Sequence, residues 1–339
     1  MVKMNFKKHM KNIALIGCGN IGRRHLQGLL PSQHHLNILI VEPIESLWQT
    51  AQQAIEEAGG IQNHHVEFYS SINQLPENIS VAIVATNADV RKNVVLELLN
   101  HCTPSYLILE KILFQKESDY VEVGKLLYQK DIPTYVNCTR RYFKHYQQLK
   151  KAFSASLFLE MKVTGSNWGL ACNAIHLLDL FNYLNGYVKY NFTTDLLDKT
   201  IHESKRKGFI ELTGTIKTDE KDLYQFSATS NETSGEPLLI QLKSEHLEVI
   251  INETEGKIES RKVLLTEDSE KPIDLNFTFQ ALPLSKAAYL FIDDLLSKGK
   301  CDLTDYFTSA QLHLTLLKSY LTHLRNQNFE IKNNCCPIT

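Results

Sequence analysis

Lys111 and His176 are the side chains of this 339-residue sequence best placed for chemistry at an alcohol or a ketone. Lys111 directly follows the apolar run Tyr106-Leu107-Ile108-Leu109 and then Glu110. A lysine just past a buried strand can donate to a substrate oxygen and stabilise alkoxide charge as it develops. The alternative is an ordinary surface lysine at a strand end. His176 lies in the stretch Asn167-Trp168-Gly169-Leu170-Ala171-Cys172-Asn173-Ala174-Ile175-His176-Leu177-Leu178-Asp179. At helical spacing Cys172, Asn173, His176 and Asp179 share one face. A polar face on an otherwise apolar helix needs partners if it is buried. A histidine there could take or give the proton that accompanies hydride transfer. Its alternative is a core histidine hydrogen-bonded to Asp179. Trp168 and Tyr142 offer ring faces to a sugar, or simply pack.

These residues need elements to hold them, and the first is the stretch from Asn12 to Gly22. A β-forming run leads into Gly17, Gly19 and Gly22, spaced G-x-G-x-x-G, and residues 23–30 then read as a helix. Strand, tight turn and helix start in this order form a dinucleotide pyrophosphate site. Asn20 and Ile21 lie inside that turn, where free helix N–H groups and the helix dipole favour an anion. A second buried strand, 36–41, ends at Glu42. An acidic residue at this strand end bonds the adenosine ribose hydroxyls and repels a 2′-phosphate, so it predicts NAD over NADP. An ordinary surface Glu is the other reading. Further strands are expected at 66–69, 79–85, 106–109 and 133–137, with helices at 46–58, 89–100 and 118–129 between them. Such alternation builds a parallel sheet from right-handed β-α-β units. Ligands on such sheets sit beyond the carboxyl ends of the strands. Glu42, Thr86, Asn87, Glu110 and Lys111 all fall there.

Residues 138–153 begin with Arg140-Arg141-Tyr142-Phe143 and continue as a helix, after which the pattern changes. Residues 157–164 alternate, as an antiparallel strand with one wet face does. An apolar helix over 173–184 follows. Strands at 209–217, 223–231, 238–243, 247–252 and 257–264 then predict a β-meander. Helices at 285–296 and 305–325 close the chain, with a loosely held tail from 326. The domains are expected at 1–125, binding the dinucleotide, and 126–339, binding substrate and mediating oligomers.

Composition narrows the class further. A formal net charge of -2 gives no field for nucleic acid or an anionic membrane. The basic cluster Lys3, Lys7, Lys8 and Lys11 reads as a solvated extension. No apolar run approaches the ~20 residues of a transmembrane helix, and no signal-peptide core precedes the first strand, which points to the cytoplasm. The seven cysteines are odd in number and scattered, without a C-x-x-C pair, which argues for reduced thiols over disulfides or structural zinc. No metal-ligand spacing appears. The pairs His34-His35 and His64-His65 read as surface, and Asp293-Asp294 as a solvated helix face.

The residues from Ile16 to His25, Ala85-Thr86-Asn87, Glu110-Lys111, Asn137 to Tyr142 and the helix carrying His176 and Asp179 together resemble the Gfo/Idh/MocA family, the glucose-fructose oxidoreductases and inositol dehydrogenases. The resemblance implies an α/β fold: an N-terminal Rossmann domain, then an α+β domain on an open antiparallel sheet that mediates homodimers or homotetramers. It implies NAD-dependent oxidation or reduction of a sugar carbon. Lys111 matches the lysine of the family's Glu-Lys-Pro motif, which contacts the reacting hydroxyl and the nicotinamide ribose. His176 matches the usual acid or base. Gly17, Gly19, Asn20, Ile21, Gly22, Glu42, Thr86, Asn87, Glu110 and Lys111 would then hold NAD. Arg141, Tyr142, Asn167, Trp168, Asn173 and Asp179 would meet substrate.

Two departures stand out. Ile112 replaces the motif's proline, so a cis peptide is not implied there. Cys172 stands where the family usually has Asp. The stretch 165–180 looks most like members of bacterial surface-polysaccharide and activated-sugar biosynthesis. A dehydrogenase or reductase of a non-sugar substrate, and a nicotinamide-binding regulator without catalysis, are the competing readings.

Overall fold

The computed structural model describes residues 10–219, 221–232, 235–262 and 275–339. Lys3, Lys7, Lys8 and the last two positions of the strand expected over 257–264 lie outside them. The chain forms two compact units. One takes residues up to 114, 118–142 and 282–307; the other takes 115–117, 143–281 and 308–339. This division differs from a single cut after residue 125. The strand after that point pairs within the first sheet, and a late helix returns to fill the first core.

In the first unit, β1 (Lys11–Ile16), α1 (Asn20–Leu29), β2 (Leu36–Val41), α2 (Ser46–Glu57), β3 (His65–Tyr69), β4 (Val81–Val84), α3 (Ala88–His101), β5 (Tyr106–Leu109), α4 (Glu117–Gln129) and β6 (Thr134–Val136) alternate as the periodicity predicts. Their order across the sheet is β6-β5-β4-β1-β2-β3, all pairs parallel. Strand order reverses beside β1, so the β1–α1 turn lies at the switch point where such sheets bind ligands. A short antiparallel strand over Thr304–Asp305 adds to the β6 edge. The sheet core is Ile13, Leu15, Ile38, Ile40, Val81, Ile83 and Ile108. These strands are apolar on both faces because helices cover both.

The second unit is a nine-stranded sheet among the described residues. Its elements are α5 (Lys144–Ala152), β7 (Leu159–Ser166), α6 (Leu170–Asn185), β8 (Phe192–Thr193), β9 (Leu197–Glu203), β10 (Ile210–Thr218), β11 (Tyr224–Asn231), β12 (Leu239–Lys243), β13 (Leu247–Asn252), β14 (Lys257–Lys262) and β15 (Phe277–Thr278). The sheet is mainly antiparallel, yet not a plain meander. β7 is inserted between β11 and β12 and runs parallel to β11 from Leu159↔Tyr224 to Ser166↔Asn231. On β7, Leu159, Met161 and Val163 are buried and Lys162 is exposed, the alternation of a one-sided sheet. Phe181 of α6 meets Phe226 of β11 at 5.8 Å between ring centroids.

Two helices follow, α7 (Ala288–Lys298) and α8 (Tyr306–Asn326). α7 belongs to the first unit and adds Ala288, Phe291, Ile292 and Leu295 to its core. A Cβ on Gly28 of α1 would sit 2.3 Å from the Leu284 carbonyl and 2.8 Å from the Ala288 methyl, which shows how closely this returning segment docks. Asp293 and Asp294 are therefore not a purely solvated face. Asp293 accepts from Ser32 Oγ at 2.5 Å, and Asp294 pairs with Lys298 at 2.6 Å.

The tail is likewise held. Cys336 N donates to the Gln115 carbonyl (2.9 Å), Gln115 Nε2 to the Ile338 carbonyl (2.8 Å) and Ile210 N to the Pro337 carbonyl (2.8 Å). Ile338 is 1% exposed. His64 also corrects its expected surface placement. It is buried, accepts from Leu36 N at Nδ1 (3.3 Å) and donates from Nε2 to the Leu30 carbonyl (2.9 Å).

Candidate active site

The β1–α1 turn is built for an anion. Gly17 adopts φ +87°, open to glycine and strained for other residues. A Cβ on Gly22 would lie 2.0 Å from the Gly17 carbonyl oxygen, so helix and turn touch only because Gly22 has none. Gly19 differs: its φ is -67°, and a Cβ there would meet nothing within 4 Å. That is the open side of the turn. Gly19 is the N-cap of α1 and gives it no side-chain cap. The side chain of Asn20 turns to Arg23, accepting from Nη2 at 2.7 Å.

Glu42 is buried at the end of β2. Its Oε2 accepts from Cys18 N (2.8 Å) and its Oε1 from Ile44 N (3.1 Å), which ties the glycine turn to the strand. Trp48 Nε1 donates to the Glu42 carbonyl at 2.9 Å, and its ring stacks on Phe68. Each carboxylate oxygen keeps a second lone pair for a ribose hydroxyl. Burial, then the Glu42 charge, pushes the Cys18 thiol up to about 12, so it is no nucleophile.

Thr86 closes β4 against this turn. Its Cγ2 lies 3.0 Å from the Cβ position of Gly17, and its Oγ1 is buried with no hydrogen-bond partner. Asn87 is the N-cap of α3, without a side-chain cap bond. An open glycine face, an uncapped helix, an orphaned hydroxyl and an acid at the end of β2 fit a dinucleotide. Gly17, Gly19, Asn20, Ile21, Gly22, Glu42, Thr86 and Asn87 are thus gathered at one edge of one sheet.

Glu110 behaves differently from a ligand contact. Its carboxylate points inward: Oε1 accepts from Asn137 Nδ2 at 2.6 Å and pairs with His25 Nε2 at 2.6 Å. Burial pushes the Glu110 carboxyl up. The hydrogen bond and charge of His25, then Arg91, then the Asn137 amide, overcome that and hold it below the usual carboxylate range. Lys111 follows, half-buried. The Lys111–Ile112 peptide is cis, contrary to the expectation from the missing proline. Ile112 is buried and its carbonyl accepts from Arg91 Nη1.

The Tyr142 side chain is tied within its own unit. Its hydroxyl donates to Asp294 Oδ2 (2.9 Å) and accepts from Asp302 N (3.0 Å), and its ring packs edge-on to Phe291. It tethers the returning α7 segment. Arg141 lies beside it in a 3-10 turn, half-buried.

In the second unit, α6 is flanked by its cap residues Gly169 (φ +80°) and Gly186 (φ +74°). Its N-terminus is capped from a distance. Glu211 Oε1 on β10 accepts from Ala171 N at 2.5 Å and Leu212 N at 3.0 Å. His176 and Asn173 are half-buried on this helix, whereas Asp179 is fully buried and withdrawn from any ligand reached through solvent. Asn173 Nδ2 donates to the Trp168 carbonyl (2.7 Å), Trp168 Nε1 to the Thr229 carbonyl (2.8 Å) and Asn167 Nδ2 to the Glu232 carbonyl (2.9 Å). These donors build the turn before α6. The Trp168 ring, Arg141 and His176 remain candidates for substrate. His25, Arg91, Asn137 and Glu211 had been given no site role. His25 was detectable, three positions after Gly22 and so on the same helix face.

Residues 11–138 match the family described as oxidoreductase family, NAD-binding Rossmann fold (Gfo/Idh/MocA). The N-terminal part of the chain is thus similar to the NAD-binding Rossmann domain of that family. No curated protein matches the chain. Among solved structures, the fold is similar to the WlbA dehydrogenase of Bordetella pertussis, solved with NADH and UDP-GlcNAcA, at 17% identity over 94% of this chain and 96% of that one, TM-score 0.68. It is similar to myo-inositol dehydrogenase of Lactobacillus casei, solved with NAD(H) and myo-inositol, at 15% identity, 94% and 95% coverage and TM-score 0.61. The UDP-N-acetylglucosamine 3-dehydrogenase GnnA of Acidithiobacillus ferrooxidans is also similar, at 12% identity, 91% and 96% coverage and TM-score 0.62. At these identities the likeness establishes the fold across both units. Among the described residues, no helix is long and apolar enough to cross a membrane, and no cluster of His, Cys, Asp or Glu is arranged to hold a metal.

Proposed function

We propose that this oxidoreductase transfers hydride between NAD and a carbinol or ketone carbon of a sugar, with a nucleotide-linked sugar of surface-glycan biosynthesis as the favoured substrate class. The reading is carried by the row of residues at the carboxyl ends of β1, β2, β4 and β5. When bound, NAD supplies the hydride acceptor or donor at its nicotinamide C4. The residues of the chain do the rest. The Gly17–Gly22 turn and the α1 N-terminus hold the pyrophosphate. Glu42 accepts from the ribose hydroxyls and disfavours a 2′-phosphate, so NAD is preferred over NADP. Thr86 and Asn87 line the nicotinamide side.

Lys111 donates to the reacting oxygen and stabilises its negative charge. His176 takes the hydroxyl proton on oxidation and returns it on reduction. With Cys172 in place of Asp, no carboxylate on the first turn of α6 shares that task. Trp168 offers a ring face to the sugar, and Arg141 a guanidinium to an anionic group. Homodimers or homotetramers would form through the open sheet. The activated-sugar assignment rests on the resemblance of residues 165–180, and the fold likeness to a dehydrogenase solved with NADH and UDP-GlcNAcA is compatible with it.

The test is kinetic. Lys111→Ala and His176→Ala should each lower kcat by at least ~10²-fold while folding and NADH binding persist. Near-normal turnover in both variants would overturn the assignment.

A further inference from the structure

Arg91 is a charged side chain with 1% exposure. It lies on the stripe of α3 that also buries Ala88, Val95, Leu98 and Leu99. A guanidinium is costly to bury unless it is hydrogen-bonded, and here backbone carbonyls take up both of its terminal nitrogens. Nη1 donates to the carbonyls of Ile112 and Leu113, the latter at 3.0 Å, and Nη2 donates to the carbonyl of Thr86. One cation therefore grips two loops of the same unit. One is the turn at 86–87 that leads β4 into α3. The other begins immediately after Lys111. On the opposite side of Lys111, Glu110 is held by His25 and Asn137 at 2.6 Å each. Lys111 is thus pinned through the backbone on both sides, by Glu110 before it and by Arg91 after it.

We propose that Arg91 is a positioning residue that joins the 86–87 turn and the 111–113 segment into one rigid piece, so that NAD seated against the turn and Lys111 are set by the same side chain. This inference rests on the reading that Lys111 serves the reaction. A flat fork with five donors can serve three carbonyls at once, whereas a lysine presents one point charge. An apolar residue would fit the stripe of α3 yet leave the carbonyls unmet.

Arg91→Lys and Arg91→Ala test it in the full chain. For Arg91→Lys the expected result is a folded protein with NADH affinity reduced about tenfold and kcat reduced at least as much, from the loss of one charge-assisted bond. Millimolar guanidinium should partly restore NADH binding to Arg91→Ala and leave Lys111→Ala unchanged. Hydrogen exchange gives a readout independent of turnover and of variant folding. NADH should slow exchange in both 86–88 and 111–114 of the wild type, and only in 86–88 of Arg91→Lys. Unchanged NADH affinity and kcat in Arg91→Lys, or exchange at 111–114 indifferent to NADH in the wild type, would overturn the proposal. Normal turnover in Lys111→Ala would instead remove the reading beneath it and leave the binding and exchange arms to judge Arg91 alone.

Discussion

Gly19→Ala should separate cofactor binding from folding. The new methyl would meet no protein atom within 4 Å, and the φ of -67° suits alanine. Replacing glycine where alanine fits reduces the entropy of the unfolded chain and stabilises by about 0.4–1 kcal/mol. For a unit of this size that raises Tm by roughly 1–4 °C. The cofactor faces the opposite effect. The methyl enters the open space beside the uncapped start of α1, where a phosphate oxygen must come within about 2.9 Å of a backbone N–H. Pushing the phosphate outward by about 1 Å weakens two charge-assisted bonds, at about 1.5–3 kcal/mol for each bond lost. NADH affinity should fall by about 100-fold or more. Titration calorimetry with NADH and scanning calorimetry of the cofactor-free protein read the two effects separately. Gly22→Ala is the contrast, because its methyl would lie 2.0 Å from the Gly17 carbonyl. It should lose about 1–3 kcal/mol of stability as well as affinity. Gly19→Ala with NADH affinity within twofold of wild type would refute the placement of the pyrophosphate at this turn.

Other consequences are as specific. Glu42→Ala should narrow the preference for NAD over NADP at least about tenfold, measured as the ratio of kcat/KM values, and should loosen the Cys18–Ile44 tie. Tyr142→Phe should cost about 1–2 kcal/mol in urea unfolding, from its bonds to Asp294 and Asp302, and leave substrate KM unchanged. A raised KM would return Tyr142 to the substrate. The Glu110 carboxyl is held low in the folded protein. Its stabilisation is therefore complete above the unfolded carboxyl value near ~4.3 and is lost as pH falls through the lower folded value. Glu110→Gln should be less stable than wild type at neutral pH, and the gap should close in acid. A gap independent of pH would contradict the buried ionised carboxylate.

The first sheet was legible because its strands are apolar throughout and its helices amphipathic, so both periods stand out. The return of α7 was not, because helix 285–296 shows an apolar stripe without naming the surface it covers. β9 escaped notice for a physical reason: Leu-Asp-Lys-Thr-Ile-His-Glu is largely exposed and carries almost no burial pattern. The parallel β7–β11 pairing is a matter of long-range register, which local alternation does not encode. At the site, glycine spacing and strand-end position picked out the residues proposed to hold NAD. They could not tell that Glu110 faces inward, since an acid at a strand end suits either direction. The amides of Asn167 and Asn173 build the turn before α6, a role the sequence does not separate from ligand binding because turn-building polar residues and ligand-binding ones share a composition. Arg91 went unremarked in the sequence, because a cation on an amphipathic helix reads as solvated until the structure places it among Ala88, Val95, Leu98 and Leu99.

The most direct test of the central assignment is NADH formation by the purified full chain supplied with NAD and, in turn, an N-acetylated UDP-sugar, its uronic acid, free hexoses and myo-inositol. The account predicts absorbance by NADH with at least one of these sugars, abolished in His176→Ala and Lys111→Ala. NAD binding without NADH formation on any sugar would contradict it.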